Sequence, residues 1–242
     1  MNEWFADLKM QFVQNFIEKD RWHYLADGLG NTLKVTFGAV ILGIILGIVL
    51  AIIRSTFEKN KDSMRSGLAK AVLYILNFIA KVYLTVIRGT PVIVQVMIMY
   101  YIILASSTNK IMVAILAFGI NSGAYVAEIV RSGIMSIDEG QFEAGRSLGF
   151  NYTQTMRYII VPQAFKNVLP ALANEFIVLL KETSVAGYVA LQDLTKGGDI
   201  IRSQTYNAFM PLFGVAAIYL VMVMFFTYLV GILERRLRNS ER

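Results

Sequence analysis

Residues 210–233 form a run without a single charged side chain, and residues 33–53 carry one charge, Lys34, at the very start. A helix needs roughly 20 apolar residues to cross the hydrocarbon layer of a bilayer. Each run meets that length, so the chain is expected to be an integral membrane protein built from helices. The remaining composition agrees: 56% of the 242 residues are apolar, 17% are charged, and the mean hydropathy is +0.54. The chain has no cysteine, which excludes disulfides and thiol chemistry.

Apolar runs predict crossings over residues 29–53, 82–105, 111–132, 165–184 and 208–233. The second is ambiguous. Residues 71–105 are almost continuously apolar, interrupted by Lys81, Arg88, Gly89 and Pro91. Either residues 71–87 make a crossing of their own, or they lie along the interface before a single crossing. Charge decides for five. With five crossings, segments 54–70, 131–166 and 234–242 share one side and hold thirteen Lys and Arg, against seven on the other. Basic loops stay in the cytoplasm, so the N-terminus is expected outside and the C-terminus inside. The net charge of +6 therefore follows topology and does not point to nucleic acid.

The N-terminus lacks the basic region and short apolar core of a secretory signal. Residues 1–28 instead space Trp4 or Phe5, Leu8, Phe12 and Phe16 helically among polar residues. That suits a helix in the membrane interface, and a loosely ordered tail fits the same periodicity. Residues 29–238 form the membrane domain and residues 239–242 a cytoplasmic tail. Gly43 and Gly47 make a GxxxG that permits close helix approach. His23, the only histidine, reads as a surface residue, and no cluster of side chains suggests a metal.

Within this oily chain, residues 135–165 are polar and amphipathic. Asp138 followed by Gln141 resembles a capping box, and Gly149 is placed to end that helix. Asn151 followed by Gln154 repeats the start signal. Pro162 disfavours helical geometry at Val161. Two short helices with a bend are expected, showing Phe142, Leu148 and Phe150. Docking to another protein and packing as a linker on the same subunit both fit.

Polar residues at membrane depth are candidates for function. Asn121, Tyr125, Glu128 and Ser132 share one face of the third crossing. On the fourth, Glu175 and Glu182 face the same way, beside a stripe of Asn174 and Lys181. Structural pairing of Glu128 with Arg131 and snorkelling of Lys181 are the plainer readings of those residues. Glu175 has no basic residue one turn away on its own helix. Arg88 can pair with a carboxylate or anchor its helix at the cytoplasmic boundary.

The order Glu143-Ala144-Gly145, then Gly149, then Ile159, Val161 and Pro162 resembles the cytoplasmic signature loop of permease subunits in ATP-binding-cassette importers. That signature reads Glu-Ala-Ala, three residues, Gly, nine residues, Ile, one residue, Leu-Pro. Gly145 and Val161 depart from it, and Gly145 is expected to loosen its helix. Asn31-Thr32-Leu33, Arg88-Gly89-Thr90-Pro91, the run from Asn121-Ser122-Gly123 to Arg131, and Asn174-Glu175-Phe176-Ile177 are similar to the polar amino acid branch, of histidine, glutamine and arginine type. The resemblance covers about residues 28–238.

It implies an all-α polytopic fold of type I importer permeases: five transmembrane helices, an N-terminal interfacial helix and a cytoplasmic coupling-helix loop. It implies that Glu143, Ala144, Gly145, Arg146, Gly149 and Pro162 serve ATPase coupling. It places Glu175, Asn174, Asn121, Ser122, Tyr125, Glu128 and Arg88 on the translocation path, with Glu175 meeting the cationic part of an amino acid. The chain itself is expected to bind no cofactor, ATP and Mg being held by the partner ATPase. It has no GxxxxGK[ST] phosphate loop, so it is expected not to be an enzyme. The implied partners are two ATPases, a second permease (homo- or heterodimer), an extracellular or periplasmic binding protein, an amino acid and membrane lipid. The implied location is the bacterial cytoplasmic membrane. A gradient-driven carrier or channel, with Glu128, Glu175 and Glu182 as a proton path, is the alternative. A purely structural membrane subunit fits poorly with acids at membrane depth.

Overall fold

The computed structural model describes residues 2–61, 64 and 67–239. Arg65 and Arg242 of the basic count, Met1 of the N-terminal segment and tail residues 240–242 lie outside the described residues.

Every regular element among the described residues is helical. In chain order they are α1 (Asn2–Phe12), α2 (Trp22–Asn60), α3 (Leu68–Gly89), α4 (Val92–Ile98), α5 (Lys110–Met135), α6 (Glu139–Ser147), α7 (Tyr152–Thr155), α8 (Val161–Glu182), α9 (Leu194–Thr205) and α10 (Phe209–Asn239). Single π turns occupy Val13–Ile17, Met99–Ile103 and Met156–Ile160, and 3-10 turns occupy Glu18–Asp20 and Thr183–Val189. Four helices, α2, α3, α5 and α10, are long and apolar enough to cross a membrane. This is a multi-pass membrane protein. α8 has a similar length, 22 residues, but its hydropathy is diluted by Lys166, Glu175, Lys181 and Glu182. At 39 residues α2 is about 58 Å long, well beyond the roughly 30 Å of hydrocarbon. Its ends therefore extend past the expected crossing at residues 29–53.

The expected second crossing at residues 82–105 has different bounds. Val82 lies in the middle of α3, whose N-cap is Gly67. The helix ends at Gly89, Thr90 is extended, and α4 starts after Pro91. Proline removes a donor and restrains the residue before it, so the break falls where the Arg-Gly-Thr-Pro sequence puts it. Residues 71–87 thus lie within a helix long and apolar enough to make a crossing of its own, the first of the two expected alternatives. They are the body of α3, with Leu68, Ile75, Phe78, Ile79, Val82 and Val86 exposed, as lipid-facing side chains are.

The chain forms two compact units: Met1–Ala39, Val92–Phe118 and Ile177–Leu229, and Val40–Pro91, Gly119–Phe176 and Val230–Arg242. It passes between them five times. In the first unit the core is Phe16, Leu25, Leu194, Ile201 and Val215. α9 packs where the Asn31 amide donates to the Gln192 carbonyl at 2.9 Å and the Leu194 N–H reaches the Thr32 hydroxyl at 3.1 Å. The N-terminal segment is a helix, α1, that exposes Trp4, Phe5 and Phe12, while Phe16 is buried in the core. It is tied down by polar contacts: Thr205 donates to Asn15 at 2.7 Å, and the buried Arg21 donates to Gln204 at 3.3 Å.

In the second unit, α2 and α5 pack closely across the expected GxxxG. A Cβ on Gly43 would stand 2.9 Å from Ser122 Oγ, and one on Gly47 would overlap Val126. Tyr83 of α3 donates to the Ile120 carbonyl. Leu84, Ala124 and Ala127 form one core cluster, and Ile134, Phe142, Ile160 and Ala164 another.

Candidate functional site

The polar segment between α5 and α8 is ordered by its own capping chemistry. Asp138 caps α6, but its side chain accepts from the Gly140 N–H at 2.7 Å rather than from Gln141, so the expected capping box is not formed. α6 ends in a Schellman motif. Gly149 has φ +78°, the Phe150 N–H bonds the Gly145 carbonyl at 3.0 Å, and the Gly149 N–H bonds the Arg146 carbonyl at 2.9 Å. Asn151 and Gln154 then make a complete capping box, both bonds at 2.9 Å.

The expected second short helix is not separate. α7 runs through the π turn at Met156–Ile160 into α8, and Val161 keeps helical geometry at φ −60°, ψ −42° directly before Pro162. A π turn shifts the hydrogen-bond register, and here it adjoins the position where proline has no N–H to give. The preference against helix before proline is overridden without breaking the rod.

The exposed surface also differs from expectation. Phe142 is buried at 7% and packs into the core cluster, with Lys59 Nζ 4.3 Å from its ring centroid and paired with Glu139. Leu148 is exposed as expected, Phe150 is half-buried, and Tyr158 is 61% exposed. Glu143 and Arg146 stand out in solvent at the loose pairing distance of 4.0 Å. Ala144, Gly149 and Pro162 are exposed, and Gly145 is buried against Thr155. Tyr152 bonds Thr56 and Asn60 of α2, and burial pushes its phenol pKa up. The segment thus packs on its own unit through Phe142, Gly145 and Tyr152, and leaves Glu143, Arg146, Leu148 and Tyr158 outward.

The residues expected on the path fall into two groups of the second unit. In one, the fully buried Ser122 of α5 donates to Glu175 Oε1 of α8 at 2.9 Å. Asn121 is buried next to Ser122, and Asn174 is exposed next to Glu175. In the other, Arg131 bonds Glu128 at 2.5 Å, as the i,i+3 spacing indicates. Arg88 stands 3.8 Å from Glu128, and its guanidinium is 6.0 Å from the Tyr125 ring. Arg88 thus belongs with Glu128 and Tyr125.

Sequence reasoning missed that this second group continues. Arg131 also reaches Glu58 at 3.3 Å, and Glu58 holds Arg54 at 3.1 Å. The ladder Arg54–Glu58–Arg131–Glu128–Arg88 joins α2, α5 and α3. The i,i+4 spacing of Arg54 and Glu58 was the available signal; the link to Arg131 has none in sequence. A cavity of about 610 Å³ lies beside it, lined by Arg54, Lys81, Thr85, Arg88, Tyr125 and Glu128. Three basic groups against one acid make it suited to an anionic group such as a carboxylate.

Comparison with known proteins gives a consistent answer. Residues 39–239 match the family model described as binding-protein-dependent transport system inner membrane component. The chain is similar to the arginine transport system permease protein ArtQ of Bacillus subtilis, 36% identical over 222 residues, covering 90% of this chain and 94% of the relative. It is similar to the glutamine transport system permease protein GlnP of Escherichia coli K12, 37% identical over 170 residues, 68% of this chain and 77% of the relative. Among solved structures, an amino acid ABC transporter crystallised with histidines matches at TM-score 0.79 and 40% identity, covering 91% of this chain and 98% of that one. An inward-facing MetNI methionine transporter matches at TM-score 0.70 and 20% identity, a likeness of fold alone. These relatives are permease subunits, not gradient-driven carriers, and the carrier reading is set aside.

Proposed function

The chain belongs to the family of binding-protein-dependent transport system inner membrane components, and from that premise we propose that it is the membrane-spanning subunit of an ATP-binding-cassette importer for polar amino acids. It is a transport subunit and not an enzyme. Its location is the bacterial cytoplasmic membrane, with the N-terminus outside, the basic segments and C-terminus in the cytoplasm, and α1 lying in the outer interface. Residues 1–28 make that interfacial segment, residues 29–238 the permease domain and residues 239–242 the tail. Two permeases, identical or related, pair around a central path. An external binding protein delivers the amino acid, and two ATPases holding ATP and Mg drive alternating access.

The observation that carries this reading is the segment from Glu139 to Pro162. It is fixed to its own unit by buried residues and turns a polar face outward. Glu143, Ala144, Arg146 and Leu148 form the ATPase-facing surface, Gly145 and Gly149 give it shape, and Pro162 marks its passage into α8. On the path, Glu175 held by Ser122 meets the amino group or cationic side chain of the amino acid, with Asn174 and Asn121 beside it. Arg88, Tyr125 and Glu128 line the neighbouring basic cavity and meet the carboxylate.

The test is mass spectrometry of what co-purifies with the chain from its own membranes in mild detergent. A stoichiometric nucleotide-binding subunit is expected. Its reproducible absence, with the chain intact and folded, overturns the proposal.

A further inference from the structure

The second unit holds a cavity that none of the roles above uses. It measures about 400 Å³, and Ile52, Ile134, Met156 and Val161 give it an apolar wall that Thr153 and Arg157 interrupt. Ligand pockets usually measure about 300–1,000 Å³, so the space suits a small apolar group or part of a chain.

Its place in the sequence says which medium it opens to. Ile52 stands at the end of the apolar run 33–53, just before Arg54. The cavity therefore lies where hydrocarbon gives way to water. Ile41, Ile45, Ile48 and Ile52 are all exposed, and their helical spacing puts them on one face of α2. Val161 and Phe165, one turn apart on α8, are exposed as well. In a multi-pass membrane protein such faces are covered by acyl chains, and the stripe on α2 runs into the cavity at Ile52.

The remaining wall group supplies a charge. Arg157 is exposed, lies 5.6 Å from the Tyr158 ring centroid and makes no ion pair among the described residues. The cations of the ladder differ, since Arg54, Arg131 and Arg88 each already meet a carboxylate. No acid among the described residues lines the cavity. A guanidinium binds phosphate oxygens through paired N–H groups. An open guanidinium beside an apolar slot at the membrane boundary thus matches a molecule with an apolar chain and an anionic head.

We propose that this cavity binds one anionic phospholipid, with an acyl chain lying along Ile48 and Ile52 into the apolar wall and the phosphate resting on Arg157. The chain packs against Met156, the first residue of the π turn that joins α7 to α8, so the lipid bears on that turn. The site stands on the second unit alone and holds whether or not an ATPase drives the chain.

The test is native mass spectrometry of the full chain in detergent, delipidated and then supplied with equimolar phosphatidylglycerol and phosphatidylcholine of identical acyl chains. Wild type is expected to retain one phosphatidylglycerol over phosphatidylcholine by about fivefold, the worth of one basic residue at a membrane surface. Arg157→Gln should bring the ratio close to parity, and Arg157→Lys should keep most of it; the side chain is exposed, so neither disturbs the fold. Ile52→Glu, on another helix but the same wall, gives Arg157 a carboxylate and should also erase the preference. Glycerophosphoglycerol, the same headgroup without chains, should not displace the lipid at equal concentration. The proposal is overturned by no preference in wild type, by a preference that survives Arg157→Gln or Ile52→Glu, by its loss in Arg157→Lys, or by displacement with the chainless headgroup, which would make this a site for a soluble phosphate.

Discussion

Gly145→Ala restores the residue that the signature loop carries at this position, yet it should destabilise the loop. In an open helix alanine is better than glycine by about 1 kcal/mol. Here the new Cβ would stand 2.6 Å from both Thr155 Oγ1 and Thr155 Cγ2 and 3.1 Å from Thr155 Cβ. Thr155 is buried at 3%, so it has little room to withdraw. Rotation about its χ1 does not help, because two heavy γ atoms must fill two of three staggered positions, and two of those face Gly145. Overpacking costs about 1–3 kcal/mol, so the net effect is a loss of about 1 kcal/mol. With Thr155→Ser, the single γ atom can vacate the crowded positions, and Gly145→Ala should become stabilising by up to about 1 kcal/mol. The sign reversal is the signature of direct coupling between the two residues. Hydrogen exchange of the amides from Ala144 to Thr155, in detergent, reads local opening. Protection unchanged or increased by Gly145→Ala in the presence of Thr155 would refute the reasoning.

Two other outcomes are expected. Gly149→Val places a β-branched residue at φ +78°, a left-handed geometry that costs ordinary residues about 1–2 kcal/mol and β-branched ones more; ATPase co-purification should fall while yield in the membrane stays normal, both measured by quantitative blotting. Burial raises the Asp193 carboxyl from 3.8 to about 6, so the folded state holds more protons than the unfolded one between those values. Stability should therefore decline as pH rises from about 4 to about 6, by up to about 3 kcal/mol at roughly 1.4 kcal/mol per pH unit. Asp199, held below its ordinary value by Lys196 and Arg202, acts only at lower pH. Melting temperatures at pH 5 and pH 7.5 check this: wild type should melt higher at pH 5, and Asp193→Asn should lose most of that difference.

The long apolar runs, the break at Pro91 and the start at Asn151 were legible because each depends on residues adjacent in sequence. Glycine at 145 was legible as a departure but not as a fit, since its reason is Thr155, ten positions away and buried against it. The expectation that it loosens its helix took no account of this neighbour, for which the absent methyl makes room. Phe142 could not be told from Leu148 by pattern, because both are apolar residues among polar ones, and only the packing of Ile134 and Ile160 buries the first. Ser122 as the partner of Glu175 required knowing that α5 meets α8. The ladder through Arg131 required three helices at once. Local chemistry is written locally, and pairings across helices are not.

The continuity of α7, the π turn and α8 has a mechanical consequence. From the capped start at Tyr152 to Glu175 the backbone never leaves helical geometry, a distance of roughly 34 Å at 1.5 Å per residue. The π turn at Met156–Ile160 and Pro170 inside α8 are the two points along it where a displacement applied at one end can bend the helix instead of travelling on. A displacement at Tyr152 would reach the carboxylate at Glu175 as a swing or a twist, its size set by how far those two points yield, much as a tiller turns a rudder.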